Sequence, residues 1–71
     1  GGPMKYRSKP GKYGTLYLWA IDYTDVPLGD YVGEWHTWAY NVEGAWDNWH
    51  DRNEDVGYGT TGEFRRVPDR S

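Results

Sequence analysis

The chain has 71 residues, no cysteine and a formal net charge of −3. A chain this short builds a single domain, and the lack of cysteine excludes disulfides and thiolate metal sites. Tryptophan and tyrosine supply 12 of the 13 aromatic residues, which predicts that some rings lie at the surface, where both residues are enriched in binding sites.

The ends of the chain differ in composition from its middle. Gly1-Gly2-Pro3 ahead of Met4 is typical of a cloning remnant. We therefore predict a remnant and a basic flexible arm over residues 1–12, one domain over 13–68 and a tail over 69–71. No stretch approaches the ~20 apolar residues of a membrane span, and no apolar leader follows Met4. With the lack of cysteine, these features predict a cytoplasmic protein.

Residues 14–24 (GTLYLWAIDYT) form the strongest predicted strand, because they are rich in β-branched and aromatic residues. The alternation is apolar on both sides, which is typical of a strand in the middle of a sheet. One side carries Leu16, Leu18 and Ala20, and the other carries Tyr17, Trp19, Ile21 and Tyr23. Residues 25–33, with Pro27 and two glycines, predict a connecting loop.

Residues 34–40 predict a second strand, in which Trp35, Thr37 and Ala39 face one side and His36, Trp38 and Tyr40 face the other. The next segment predicts a helix with Asn41 as its N-cap and Glu43 in the first turn. Its apolar face is expected to consist of Val42, Ala45, Trp46 and Trp49, which recur at helical spacing.

Residues 60–67 predict a third, weaker strand that ends at Pro68. The expected fold is therefore α+β, a small three-stranded and mainly antiparallel β-β-α-β sheet with one helix on one face. A right-handed crossover places the first strand in the centre. The predicted core contains Leu16, Leu18, Trp35, Val42, Ala45, Trp46, Trp49 and Phe64. Trp19 and Trp38 are expected on the opposite, open face of the sheet.

The charges are segregated along the chain. Residues 13–63 hold ten acids against the single base Arg52, a formal charge of −9, while the other bases lie near the termini. Such a field attracts basic partners and repels phosphate backbones. We therefore predict a non-enzymatic module that binds a basic protein surface, in the manner of a nucleic-acid mimic. The predicted partner-binding residues are Tyr17, Trp19, Asp22, Tyr23, Asp25, Asp30, Tyr31, Glu34, Trp38, Asp47 and Asp51.

The run from Trp38 to Trp49 (WAYNVEGAWDNW) precedes the segment Glu63-Phe64-Arg65-Arg66-Val67-Pro68. This layout resembles the final strand-helix-strand of small phage-encoded accessory proteins, such as the coliphage inhibitor of host RNA polymerase. The resemblance covers about half of the chain and assigns no residue a role. It implies a phage protein that binds and disables a host protein with a basic surface, such as RNA polymerase or a defence nuclease.

Three other interpretations of the sequence remain open, namely nucleic-acid binding, metal binding and homodimerisation. Tyr17, Trp19, His36 and Trp38 could stack the bases of a single-stranded nucleic acid, with the basic arm holding phosphates. Asp47, His50 and Asp51 recur at offsets of 0, 3 and 4, so they could bind a metal ion with His36. A face-to-face homodimer would bury Trp19 and Trp38 without a foreign partner.

Neither a nucleophile nor a phosphate-binding loop is recognisable in the sequence. The only serines are Ser8 and Ser71, near the two ends of the chain, and the glycines match no phosphate-binding pattern. We therefore predict no catalytic residue and no cofactor.

Overall fold

The computed structural model describes residues 5–26, 28–53 and 57–69. Its elements in chain order are β1 (Ser8–Gly11), β2 (Gly14–Asp25), β3 (Tyr31–Ala39), α1 (Val42–Asn53) and β4 (Tyr58–Arg66). All four strands belong to one sheet. The predicted α+β class with one helix is confirmed, but the sheet has four strands where the sequence predicted three. Pro27, Glu54 and Asp55 lie outside the described residues.

β2 is the centre of the sheet, as its composition predicted. β3 pairs with it along one edge, with Trp19 opposite Thr37 and Ile21 opposite Trp35. The other edge is shared by β1, which covers the start of β2, and β4, which covers its end. Because β3 and β4 both run antiparallel to β2, they are parallel to each other, as the crossover predicted.

β1 lies within residues 1–12, where the sequence predicted a remnant and a flexible arm without a strand. The two terminal segments meet beside Leu18, whose N–H donates to Arg7 O at 3.1 Å and whose carbonyl accepts from Val67 N at 2.9 Å. Arg7 N donates in turn to Val67 O at 2.9 Å. These hydrogen bonds are made by backbone groups, which every sequence offers, so no apolar alternation in residues 8–11 predicted the strand.

The predicted N-cap of α1 is confirmed. Asn41 Oδ1 accepts a hydrogen bond from Gly44 N at 2.8 Å, which satisfies one of the free donors of the first turn. Ala45 and Trp49 are buried as expected, and Trp46 packs beside them. Val42 is 39% exposed, contrary to prediction, because it stands at the first position of the helix, at the margin of the helix–sheet contact.

The assignment of β2 side chains to the two faces was wrong. Trp19 and Ile21 lie on the face that α1 covers, whereas the sequence analysis placed Leu16 and Leu18 there. The buried core consists of Ile21, Ala39, Ala45, Trp49 and Phe64, with Trp19, Tyr23, Trp35 and Trp46 packed against it. Both faces of β2 are apolar, so alternation could not tell them apart. The register decides, because Ile21 pairs with Trp35 and both side chains point to α1.

The molecule is thin and measures 42 × 30 × 15 Å along its principal axes. Two close contacts with Tyr40 fix the turn between β1 and β2. The turn between β1 and β2 packs on Tyr40, whose hydroxyl accepts from Tyr13 N at 2.9 Å. A Cβ at Gly11 would lie 2.7 Å from that hydroxyl, so a side chain there would displace Tyr40 or Leu16. Within the described residues, no helix has the length and apolarity needed to cross a membrane.

Candidate functional site

Exposed apolar side chains concentrate where β2 turns into β3. Five of the eight large hydrophobic residues exposed in the described part of the chain lie at this end of the sheet. They are Val26, Leu28, Tyr31, Val32 and Tyr58, and we call this set the hairpin end. Leu28 is 76% exposed and Tyr31 is 64% exposed. Apolar side chains that are exposed together at one end of a small protein mark a candidate interaction site.

The hairpin end is held by a closed turn. Asp25 and Asp30 bond each other twice, through Asp25 N to Asp30 O at 3.0 Å and Asp30 N to Asp25 Oδ1 at 2.8 Å. Gly29, with a φ of 77°, donates from its N–H to Asp25 O at 3.1 Å. Val26 N donates to Gly57 O at 2.9 Å, which fastens the turn to the chain entering β4. The apolar side chains are therefore carried on a backbone with defined geometry.

A chain of aromatic contacts connects the hairpin end to the core. The ring of Tyr58 meets that of Tyr23 edge-on, with centroids 5.1 Å apart. Tyr23 in turn lies 5.8 Å from the ring of Trp49, which is buried beneath α1. This packing anchors Tyr58 to the buried core through Tyr23.

The predicted partner-binding residues do not form one surface. Asp25, Asp30 and Tyr31 come together at the hairpin end. Asp22, Glu34 and Trp38 lie on the open face, Asp47 and Asp51 on α1, and Tyr17, Trp19 and Tyr23 on the face that carries α1. Sequence reasoning missed Val26, Leu28, Val32 and Tyr58, because no pattern distinguishes an exposed apolar side chain from a buried one.

The acids of the open face have partners within the chain. The guanidinium of Arg65 bonds the carboxylate of Glu34 and lies 3.6 Å from Asp22 Oδ1. His36 Nε2 lies 3.3 Å from Glu34 Oε1. Asp22 and Glu34 therefore already face positive or protonatable groups, and they offer less negative charge to a partner than the sequence suggested.

The two tryptophans expected on the open face differ in their placement. Trp19 packs against the core, and its Nε1 donates to Ala39 O at 3.0 Å, so the prediction of an exposed ring is wrong there. Trp38 is half-buried on the open face, with Lys9 Nζ 4.5 Å from its ring centroid. Leu18 and Ala20, which share that face, are already covered within the monomer.

The four side chains that were predicted to stack nucleic-acid bases lie on different faces of the sheet. His36 and Trp38 lie on the open face, opposite Ala20 and Leu18. Tyr17 and Trp19 point to the other side of the sheet, where Tyr17 lies beside the guanidinium of Arg66 at 5.1 Å. These four side chains therefore do not make a single stacking platform.

A groove of about 440 Å³ opens between the end of β3 and the start of α1. It is lined by Leu16, Trp38, Ala39, Tyr40, Asn41, Glu43, Gly44, Asp47 and Asn48, and we call it the β3–α1 groove. It brings together Trp38 and Asp47, two of the predicted partner-binding residues, and adds the ring of Tyr40 and the carboxylate of Glu43.

The described residues do not provide the geometry of the metal site that the sequence left open. Across residues 5–26, 28–53 and 57–69, no three histidine, aspartate or glutamate side chains are grouped so as to hold a metal ion. Asp47, His50 and Asp51 are all exposed on α1.

Comparisons with protein-family models, curated proteins and solved structures find no match to the chain.

Proposed function

We propose that this chain is a non-enzymatic protein-binding module that docks on its partner through the hairpin end. The observation that carries the proposal is the exposure of five large apolar side chains at one end of the sheet. A small protein that leaves this much apolar surface together gains free energy when a partner covers it.

The most exposed members of the set have the most to gain from an interface. Full burial of a leucine-sized side chain stabilises a complex by about 1.5–3 kcal/mol, and Leu28 is 76% exposed. Tyr31 adds an amphipathic ring of the kind enriched in binding hot spots. Asp25 and Asp30 lie beside both residues and favour a partner whose rim is basic, mainly by speeding association.

The setting that we propose is a phage or mobile-element protein that binds and inhibits a host protein with a basic surface. Its support is the β3–α1–β4 segment, which has the strand-helix-strand layout on which the sequence resemblance rests. RNA polymerase and defence enzymes that act on nucleic acid present basic surfaces of the required kind.

Capture from a lysate of the bacterial host, by wild-type and variant protein, tests the proposal. We expect the double variant Leu28→Ser/Tyr31→Ser to lose at least about tenfold in capture of the partner, because two apolar anchors are removed. Tyr13→Ser is the matched control, since Tyr13 is 78% exposed at the other end of β2. Equal capture by the double variant and the control would refute docking through the hairpin end.

A further inference from the structure

Both charged residues that line the β3–α1 groove are acids, and the hydroxyl of Tyr40 and the amide of Asn41 add neutral donors. Glu43 and Asp47 contribute carboxylates, and neither takes part in an ion pair among the described residues. Asn48 Nδ2 donates to Thr37 Oγ1 at 3.0 Å and to Trp38 O at 3.1 Å, which leaves its side-chain oxygen as the remaining hydrogen-bonding group. Gly44 N is already bonded to Asn41. The groove is therefore suited to a ligand that donates hydrogen bonds and carries positive charge.

Trp38, which lines the groove, already interacts with a cation from outside the groove lining. Lys9 Nζ lies 4.5 Å from the centroid of the Trp38 ring, within the range of a cation–π contact. Lys9 reaches the ring because it is paired with Leu16, which also lines the groove. The chain thus shows with its own side chain that a cation can lie against Trp38.

We propose that the β3–α1 groove binds an arginine side chain of a protein partner. The planar guanidinium lies in the groove against Trp38 and donates hydrogen bonds to the carboxylates of Glu43 and Asp47, which line the same groove. Arginine suits this combination better than lysine, because its flat fork both stacks on rings and pairs with carboxylates. The cavity volume of about 440 Å³ lies within the range of ligand pockets.

The β3–α1 groove is a second surface, distinct from the hairpin end. Tyr31 and Ala39 mark the opposite ends of β3, which corresponds to roughly 26 Å at the usual rise per residue. The arginine site can therefore be tested independently of docking through the hairpin end.

An NMR titration of the full chain tests the site, with the peptide acetyl-Gly-Arg-Gly-amide as the probe. Its neutral counterpart replaces arginine by citrulline, which keeps the shape and removes the charge. We expect saturable shifts at the Trp38 indole N–H and in the first two turns of α1, and at least about tenfold weaker binding of the citrulline peptide, because the charge-assisted bonds are lost. Equal affinity for the two peptides would overturn the proposal.

Variants of the carboxylates locate the binding. Asp47→Asn and Glu43→Gln should each raise the dissociation constant of the arginine peptide several-fold. Asp51→Asn is the matched control, because Asp51 is an exposed acid one turn further along α1 that does not line the groove. If Asp51→Asn weakens binding as much as Asp47→Asn, the peptide follows general negative charge and the site is refuted.

Two further variants complete the test. Lys9→Gln should tighten binding of the arginine peptide about twofold or more, because a positive charge beside Trp38 that repels the guanidinium is removed; weaker binding would contradict a cation site at Trp38. The double variant Leu28→Ser/Tyr31→Ser should bind the peptide like wild type even where it no longer captures a partner. The failure of one surface is thereby distinguished from the failure of the other.

Discussion

The face of the sheet under α1 and the opposite face both bury apolar side chains, but they do so with different neighbours. Under α1, Ile21 and Ala45 are 0% exposed within a layer of aromatic rings. On the open face, Ala20 is 1% exposed although no helix covers it, and it lies opposite His36 and Arg65. The covered face is closed by aromatic rings, whereas on the open face the cross-strand neighbours of Ala20 are the long polar residues His36 and Arg65.

The ring layer explains where most of the large aromatics are accommodated. Trp35 and Trp49 meet edge-on with centroids 5.3 Å apart, and Trp46 meets Phe64 in the same way at 4.8 Å. Such pairs add about 0.5–1.5 kcal/mol each to the burial of their surface. An excess of tryptophan in a small chain is therefore compatible with a dense aromatic core, and it does not by itself measure how many rings are exposed.

The largest expected effect is the loss of a ring from the covered face. Trp49→Ala should lower the free energy of unfolding by about 3–5 kcal/mol, because it leaves a cavity between Tyr23 and Trp35. Urea denaturation measures the change, with Trp38→Ala on the open face as the comparison. The open-face variant should cost less than half as much. Equal losses would show that the two faces contribute alike. If Trp49→Ala does not fold, Trp49→Phe supplies the same comparison at smaller amplitude.

A matched pair of alanines sharpens the comparison. Ala45→Leu should cost about 1–3 kcal/mol, because the added atoms have no room between the helix and the sheet. Ala20→Leu should cost less than about 1 kcal/mol, because the side chains of His36 and Arg65 can move aside. Thermal unfolding of the two variants measures both effects. A larger cost for Ala20→Leu would mean that the open face is packed as rigidly as the covered one.

The smallest effect is expected for the ion pairs of the open face. Arg65→Gln should change the free energy of unfolding by no more than about 1 kcal/mol, because Arg65, Glu34 and Asp22 are all substantially exposed and screened by water. A double-mutant cycle with Glu34→Gln measures the coupling, which should fall as salt is raised. A coupling free energy well above about 1 kcal/mol that does not change with salt would show that these ion pairs are not screened by water.

Several elements could be predicted from the sequence because their signals are local. The apolar pattern on both sides of β2 predicted the central strand, and Asn41 with the spacing of Ala45, Trp46 and Trp49 predicted α1 and its cap. At the candidate site, the sequence placed Asp25, Asp30 and Tyr31 together only because they are close neighbours along the chain. Whether they bind a partner stays a prediction.

The sequence by itself determined the α+β class, the order of strand, strand, helix and strand, and the start of the helix, since hydrophobic periodicity and capping act over a few residues. Only the tertiary structure decided which face of β2 meets α1, that β1 joins the sheet beside β4, and that Val26, Leu28, Val32 and Tyr58 remain exposed around Tyr31. These outcomes depend on strand register and on backbone pairing between segments about 60 residues apart, as for Arg7 and Val67. Backbone hydrogen bonds form with any side chain, and a strand that is apolar on both faces does not show which face is covered.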